Sequence, residues 1–152
     1  MIKLPKYTFS KNVCPFSPGE YLIIDPWYAI GTYPFWADLC KWCNHNTGIL
    51  PYGFYTTIGE HNSFVWRPPQ GDFCFSADDG DNVEDCEIVT GLLSFLPMSL
   101  IRKHCGGVDR YGNSPTTLGA ILKLKKRSTP DCHGRLFICG NIIALTSNDD
   151  TE

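Results

Sequence analysis

"RLFICGNIIALT", Arg135 to Thr146, decides the reading of the fold. Two apolar runs flank Gly140-Asn141, a two-residue turn of the kind that tight β-hairpins prefer. Working outward, the same strand signals recur. "LGAILKLKKR" (118–127) interleaves Leu122 and Leu124 with lysines, as on a half-exposed strand. "IVTGLLSFLP" (88–97) is the longest apolar run and reads as a strand, with Gly91 marking a bulge. "DFCFS", "SFVW" and "GFYTTIG" are short, aromatic and β-branched. "EYLII" (20–24) reads as a buried strand stopped by Asp25-Pro26, because proline gives the ladder no N–H and restricts the residue before it.

One helix stands out. In "YPFWADLCKWCNHNTG", Pro34 suits a first turn, Gly48 suits an exit, and Trp36, Leu39, Cys40 and Cys43 recur at helical spacing. The helix is expected at about 34–46. "CGGVDRYGNSPTT" and "ADDGDNVEDCE" read as loops and "TPDCHG" as a turn, while "MSLI" is too short to classify. Residues 1–18 read as an irregular N-terminal segment, broken by Pro5, Pro15 and Pro18, and 147–152 as a polar acidic tail. The expectation is a single domain over 1–152, mainly β (α+β): a small barrel or sandwich of about eight short antiparallel strands with one amphipathic helix.

Composition agrees with this class. The chain has 152 residues, 43% hydrophobic, 19% charged and 13% aromatic, with eleven prolines and fourteen glycines. That is enough for a core without staples and too apolar for a disordered chain. A net charge of -3 argues against direct nucleic-acid binding by the molecule as a whole. No apolar run reaches a membrane span, and the N-terminus has no signal-peptide pattern, so the expected location is cytoplasmic. Eight cysteines in that setting are expected as reduced thiols, most of them small core residues.

Three constellations carry candidate chemistry. The acidic stretch "DDGDNVEDCE" places Asp78, Asp79, Asp81, Glu84, Asp85 and Glu87 together. It is not an EF-hand loop: with Gly80 in the glycine slot, the alternate ligand positions fall on Phe75, Ala77 and Asp79, and only Asp79 has a side chain able to ligate. It reads as a solvated loop or as a docking surface for a basic partner. The basic stretch Lys123, Lys125, Lys126 and Arg127 reads as an edge strand guarded by lysines, or as a phosphate or nucleotide contact, which would need an aromatic neighbour to stack a base. Cys40, Cys43 and His45, with Cys132-His133 or His104-Cys105, raise a zinc site, because a C-x-x-C pair is half of many structural centres. Against it, adjacent residues on a strand face opposite sides, and the thiols of Cys40 and Cys43 suit an apolar helix face. No cofactor is expected, and the chain lacks the glycine-rich phosphate loops, the nucleophile elbow and the zinc-deaminase motif.

The order of phrases then becomes informative. "GEYLIIDPWYAI", "FWADLC", a "YTT-G" strand, "GLLSFLPMSLI" and "GRLFICGNIIALTSNDD" span roughly residues 19–150. Together they resemble small uncharacterised proteins common in phage and bacterial genomes. Their signature is a strand ending in Asp-Pro-Cys-Tyr-Val, a Trp-x-x-hydrophobic-Cys helix, a Gly-led apolar strand ending in proline, and a last strand with an acidic tail. Trp27 and Ala29 stand here where that signature has Cys and Val, and "TTIGEHN" replaces its Gly-Asp-Gly loop. The resemblance implies an accessory protein of a mobile element, working in the host cytoplasm without enzymatic activity. It would bind a host protein or protein–nucleic acid complex and inhibit a host defence system, in the anti-CRISPR manner. A protein that sequesters a nucleotide signal, and a zinc-stabilised accessory domain, are the alternative expectations.

Overall fold

The computed structural model describes residues 3–49, 52–69, 73–78, 83–105 and 118–146. Eleven strands are described: β1 Tyr7–Ser10, β2 Gly19–Ile24, β3 Phe54–Ile58, β4 His61–Trp66, β5 Phe73–Asp78, β6 Val83–Ile88, β7 Leu93–Pro97, β8 Ala120–Leu124, β9 Asp131–His133, β10 Leu136–Cys139 and β11 Ile142–Thr146. Three helices accompany them: α1 Pro26–Ile30, α2 Tyr33–His45 and α3 Met98–His104, with a 3-10 turn at Thr47–Ile49. The strands form two antiparallel sheets, a six-stranded one in the order β1-β3-β4-β7-β2-β8 and a five-stranded one in the order β6-β5-β11-β10-β9. The protein is thus mainly β, as its composition suggests, and of the two expected forms it is the sandwich and not the barrel.

The sheets meet through aromatic side chains. Phe137 of β10 lies 5.6 Å from Phe64, 5.5 Å from Phe95 and 6.5 Å from Trp66, ring centre to ring centre. The other face of the six-stranded sheet is covered by the helices, where Leu22, Ile24, Phe54, Ile58, Val65 and Leu96 pack with Ile30, Phe35, Leu39 and Leu100. The central strands are therefore buried on both faces, which is why "YLII" is apolar throughout and "LSFL" is broken only by Ser94, whose hydroxyl donates to the Ile24 carbonyl at 2.6 Å. β11 alternates buried and exposed because only one of its faces is covered. Its hairpin with β10 closes at Gly140-Asn141 as expected. Gly140 has φ +60° and Asn141 does not take a positive φ, the pattern of a type II′ turn.

Several local expectations change. The apolar run 88–97 is not one strand: β6 ends at Ile88, the chain turns through Val89–Gly91, and β7 starts in the other sheet. Gly91 serves this crossing with φ +79°, a conformation without cost for glycine. Within the stretch expected as a loop, Asp78 and residues 83–87 lie on strands, because Val83–Ile88 pairs with Phe73–Asp78 over six residues, while 79–82 lie outside the described residues. "TPDCHG" contains β9, and the N-terminal segment contains β1, paired with β3 from Tyr7–Ile58 to Ser10–Tyr55. Helix α2 matches its expected range to one residue. Its buried face is Phe35 and Leu39, with Trp36, Trp42 and Cys43 half-buried, whereas Cys40 is exposed. Two helices were not legible: α1 begins at Pro26, and α3 opens directly after Pro97. The loop expected over 106–117 and the tail over 147–152 lie outside the described residues.

Gly53 leads into β3 with φ +86°, and a Cβ there would stand 2.1 Å from Cζ of Phe64. Phe64 is buried among Tyr55 and Phe137, so its ring has nowhere to go. Gly53→Ala is expected to destabilise the protein by about 2–4 kcal/mol, from left-handed backbone strain and overpacking together. Denaturant unfolding reads this directly, and a change under about 0.5 kcal/mol would contradict the packing described.

Candidate functional site

The acidic stretch becomes a hairpin at the edge of the five-stranded sheet. β6 is the outermost strand, and its described neighbour is β5. In register, Asp78 pairs with Val83, Ala77 with Glu84, Ser76 with Asp85 and Cys74 with Glu87. Phe75, Ala77, Cys86 and Ile88 are buried, so they hold the hairpin to the inter-sheet core. Glu87 is exposed and Asp78 is half-exposed. Asp79 and Asp81 lie outside the described residues. Strand pairing therefore puts the carboxylates on a framework rather than a free loop. Acidic residues on an edge strand discourage another chain from adding there by backbone pairing. They also present a negative rim that attracts cationic side chains and repels phosphate.

No known family model, curated protein or solved structure matches the chain. The site's meaning rests on its own geometry.

The basic stretch lies at the other sheet. Lys123 is exposed on β8, the edge strand of the six-stranded sheet, and Lys125, Lys126 and Arg127 follow it, also exposed. Asn141 ties this segment to the hairpin turn: its side chain donates to the Lys123 carbonyl at 2.9 Å and accepts from the Lys125 N–H at 2.9 Å. The position suits lysines that guard an edge. Among the described residues the strongly exposed tyrosines stand elsewhere in the fold, Tyr33 opening α2 and Tyr52 preceding β3.

The zinc constellation does not assemble. Cys43 packs with the helix layer, while Cys132 belongs to the core between the sheets. His133, next to Cys132, points to the opposite side, is exposed, and meets Asp131 at 2.8 Å. Cys105 donates its S–H to the Ala29 carbonyl at 3.2 Å. Burial pushes the Cys43, Cys105 and Cys139 thiols up to about 11 and raises Cys132 further. Among the described residues no three His, Cys, Asp or Glu side chains gather where a metal could sit. These buried thiols behave as small apolar residues.

Two polar sites escaped the sequence. Asp25 is fully buried. Its Oδ1 accepts the Trp27 N–H at 2.9 Å and the Thr90 hydroxyl at 2.7 Å, and its Oδ2 accepts the Val89 and Thr90 N–H groups, each at 2.8 Å. Burial pushes this carboxyl up, and the four donors pull against that shift. With every acceptor site directed at structural donors, Asp25 fastens the start of α1 to the crossing between the sheets. The second site is a Ser–His pair: Ser99 Oγ lies 3.1 Å from Nδ1 of His61. His61 is 8% exposed, burial pushes its pKa down, and its Nε2 and the Ser63 hydroxyl have no hydrogen-bond partner among the described residues. A Ser–His nucleophile needs a third group on the far ring nitrogen to hold the tautomer, and here the nearby Glu60 pairs with Lys103 at 3.7 Å. His104 instead meets the His61 ring edge-on at 5.9 Å. The pair joins α3 to β4, and no motif in "HNS" or "PMS" announces it. Among the described residues no helix is long and apolar enough to cross a membrane.

Proposed function

We propose that this chain is a binding protein without enzymatic activity that acts by protein–protein contact, and that the acidic β5–β6 hairpin is part of its contact surface. The observation that carries this reading is the placement of Asp78, Glu84, Asp85 and Glu87 on a paired hairpin at a sheet edge, anchored by Phe75, Ala77, Cys86 and Ile88. A strand-paired acidic edge offers a more ordered backbone to a basic groove than a loop does, so less conformational entropy is lost on binding. Grooves lined by arginine and lysine are what nucleic-acid-handling complexes present, so an acidic protein can occupy them in place of the phosphate backbone. Together with the resemblance to small phage and bacterial proteins, this favours an inhibitor of a host defence complex, of the anti-CRISPR kind, acting in the host cytoplasm.

The test is capture from host lysate with wild-type protein and with Asp78, Asp79 and Asp81 each changed to lysine. The reversal is expected to weaken retention of the captured partner at least about tenfold, through slower association and weaker electrostatic attraction. Retention that is unchanged by the reversal removes the hairpin from the binding surface.

A further inference from the structure

The five-stranded sheet buries one face against its partner sheet and turns the other outward, where Ile143 is 36% and Leu145 is 47% exposed. The register across this outer face is informative. One row runs Asp131, Ile138, Ile143, Asp78, and the next runs His133, Leu136, Leu145, Ser76. Four aliphatic side chains on β10 and β11 thus form a stripe, with Leu136 and Ile138 half-buried beside the two exposed residues. A carboxylate stands on each side of it: Asp131 on β9 and Asp78 on β5. Neighbouring strands lie about 4.8 Å apart, so these two carboxylate positions are separated by roughly 14 Å. A helix with its side chains is about 10 Å wide and fits between them.

We infer that this face docks an amphipathic helix of another protein, apolar where it meets the stripe and flanked by lysine or arginine. The inference rests on the reading of this chain as a protein-binding module, and it names the partner's chemistry. Aliphatic contacts supply the attraction, and the bracketing carboxylates select the sign of the flanking charge. Nucleic acid is disfavoured because phosphates would meet Asp78, Asp131 and, beyond them, Glu87. A second copy laid face to face about a two-fold along the strands would set Asp131 against Asp78.

The probe is a synthetic amphipathic helix of leucine and lysine, with a leucine–glutamate helix of the same pattern as its counterpart. The lysine helix is expected to perturb amide resonances of β9, β10, β11 and β5. The glutamate helix is expected to leave them in place. The double variant I143S/L145S changes only surface side chains, so its circular dichroism should match wild type, and its affinity for the lysine helix should fall at least about tenfold. D131N should weaken binding about threefold, and added salt should weaken it further. Equal binding of the glutamate helix, perturbations confined to the six-stranded sheet, or full affinity in I143S/L145S overturns the inference. So does a wild-type dimer in light scattering that I143S/L145S splits, which would give the face to a second copy. A lysate partner retained by I143S/L145S but lost with the hairpin reversal sinks the stripe and leaves the acidic hairpin standing. The converse result sinks the hairpin and supports the stripe.

Discussion

Asp25→Ala is expected to cost about 3–5 kcal/mol of folding stability, a third or more of what a domain of this size usually has. The reason is arithmetic of donors. Removing the carboxylate, itself fully buried, leaves the backbone N–H groups of Trp27, Val89 and Thr90 without their acceptor at a part-buried crossing. Each such orphan costs on the order of 1–3 kcal/mol. Asp25→Asn keeps the shape but presents an NH₂ group to donors at one of the two oxygen positions, so it is expected to cost about 2–3 kcal/mol. Thr90→Val removes one hydroxyl donor and is expected to cost about 1 kcal/mol. Urea unfolding of the three variants should rank them in that order. An Asp25→Asn protein as stable as wild type would show that the carboxylate does not hold the crossing between the sheets.

Phe137→Ala should also lose about 3–5 kcal/mol, by a different mechanism. Phe137 is 2% exposed and is the side chain of the five-stranded sheet that meets Phe64, Trp66 and Phe95 of the other sheet. Truncation leaves a cavity between sheets whose strands are pinned by their own ladders and cannot close over it. Phe137→Leu fills most of that volume and should cost about 1–1.5 kcal/mol. Leu145→Ala, on the outer face of the next strand, should cost only about 1 kcal/mol because 47% of its surface already faces water. A loss below about 1 kcal/mol for Phe137→Ala would mean that the sheets do not pack through this ring.

The parts of the fold that were readable share one property: their stabilising contacts are local or repeat along the chain. The β10–β11 hairpin was visible because its turn and both strands lie within twelve residues and the turn chemistry is specific. Helix α2 was visible because thirteen residues are enough for a 3.6-residue period to emerge. Helix α1 has five residues and α3 seven, too few for any period, and each begins at a proline that on its own reads only as a strand stop. β1 and β9 are short strands fixed by partners, β1 by β3 and β9 by β10, and not by their composition. β6 is acidic enough to read as solvated chain, yet six cross-strand pairs with β5 outweigh that preference.

The candidate site divides along the same line. That Asp25-Pro26 ends β2 was legible, since the proline gives a ladder no N–H. That Asp25 holds Val89 and Thr90, 64 and 65 residues away, was not. The acidic residues could be named from the sequence, but not their rigid frame or the aliphatic stripe beside them. Only the strand order β6-β5-β11-β10-β9 brings Asp78 and Asp131 to the two sides of Ile143 and Ile138. The sequence by itself determined the β-rich class, the main helix, the closing hairpin and the inventory of charged stretches, because periodicity, turn chemistry and composition are written in neighbouring residues. Tertiary structure decided the two-sheet sandwich, the separation of the cysteines and the make-up of the outer face. Those depend on which distant segments share a layer, and that is settled by the burial of apolar surface over the whole chain at once.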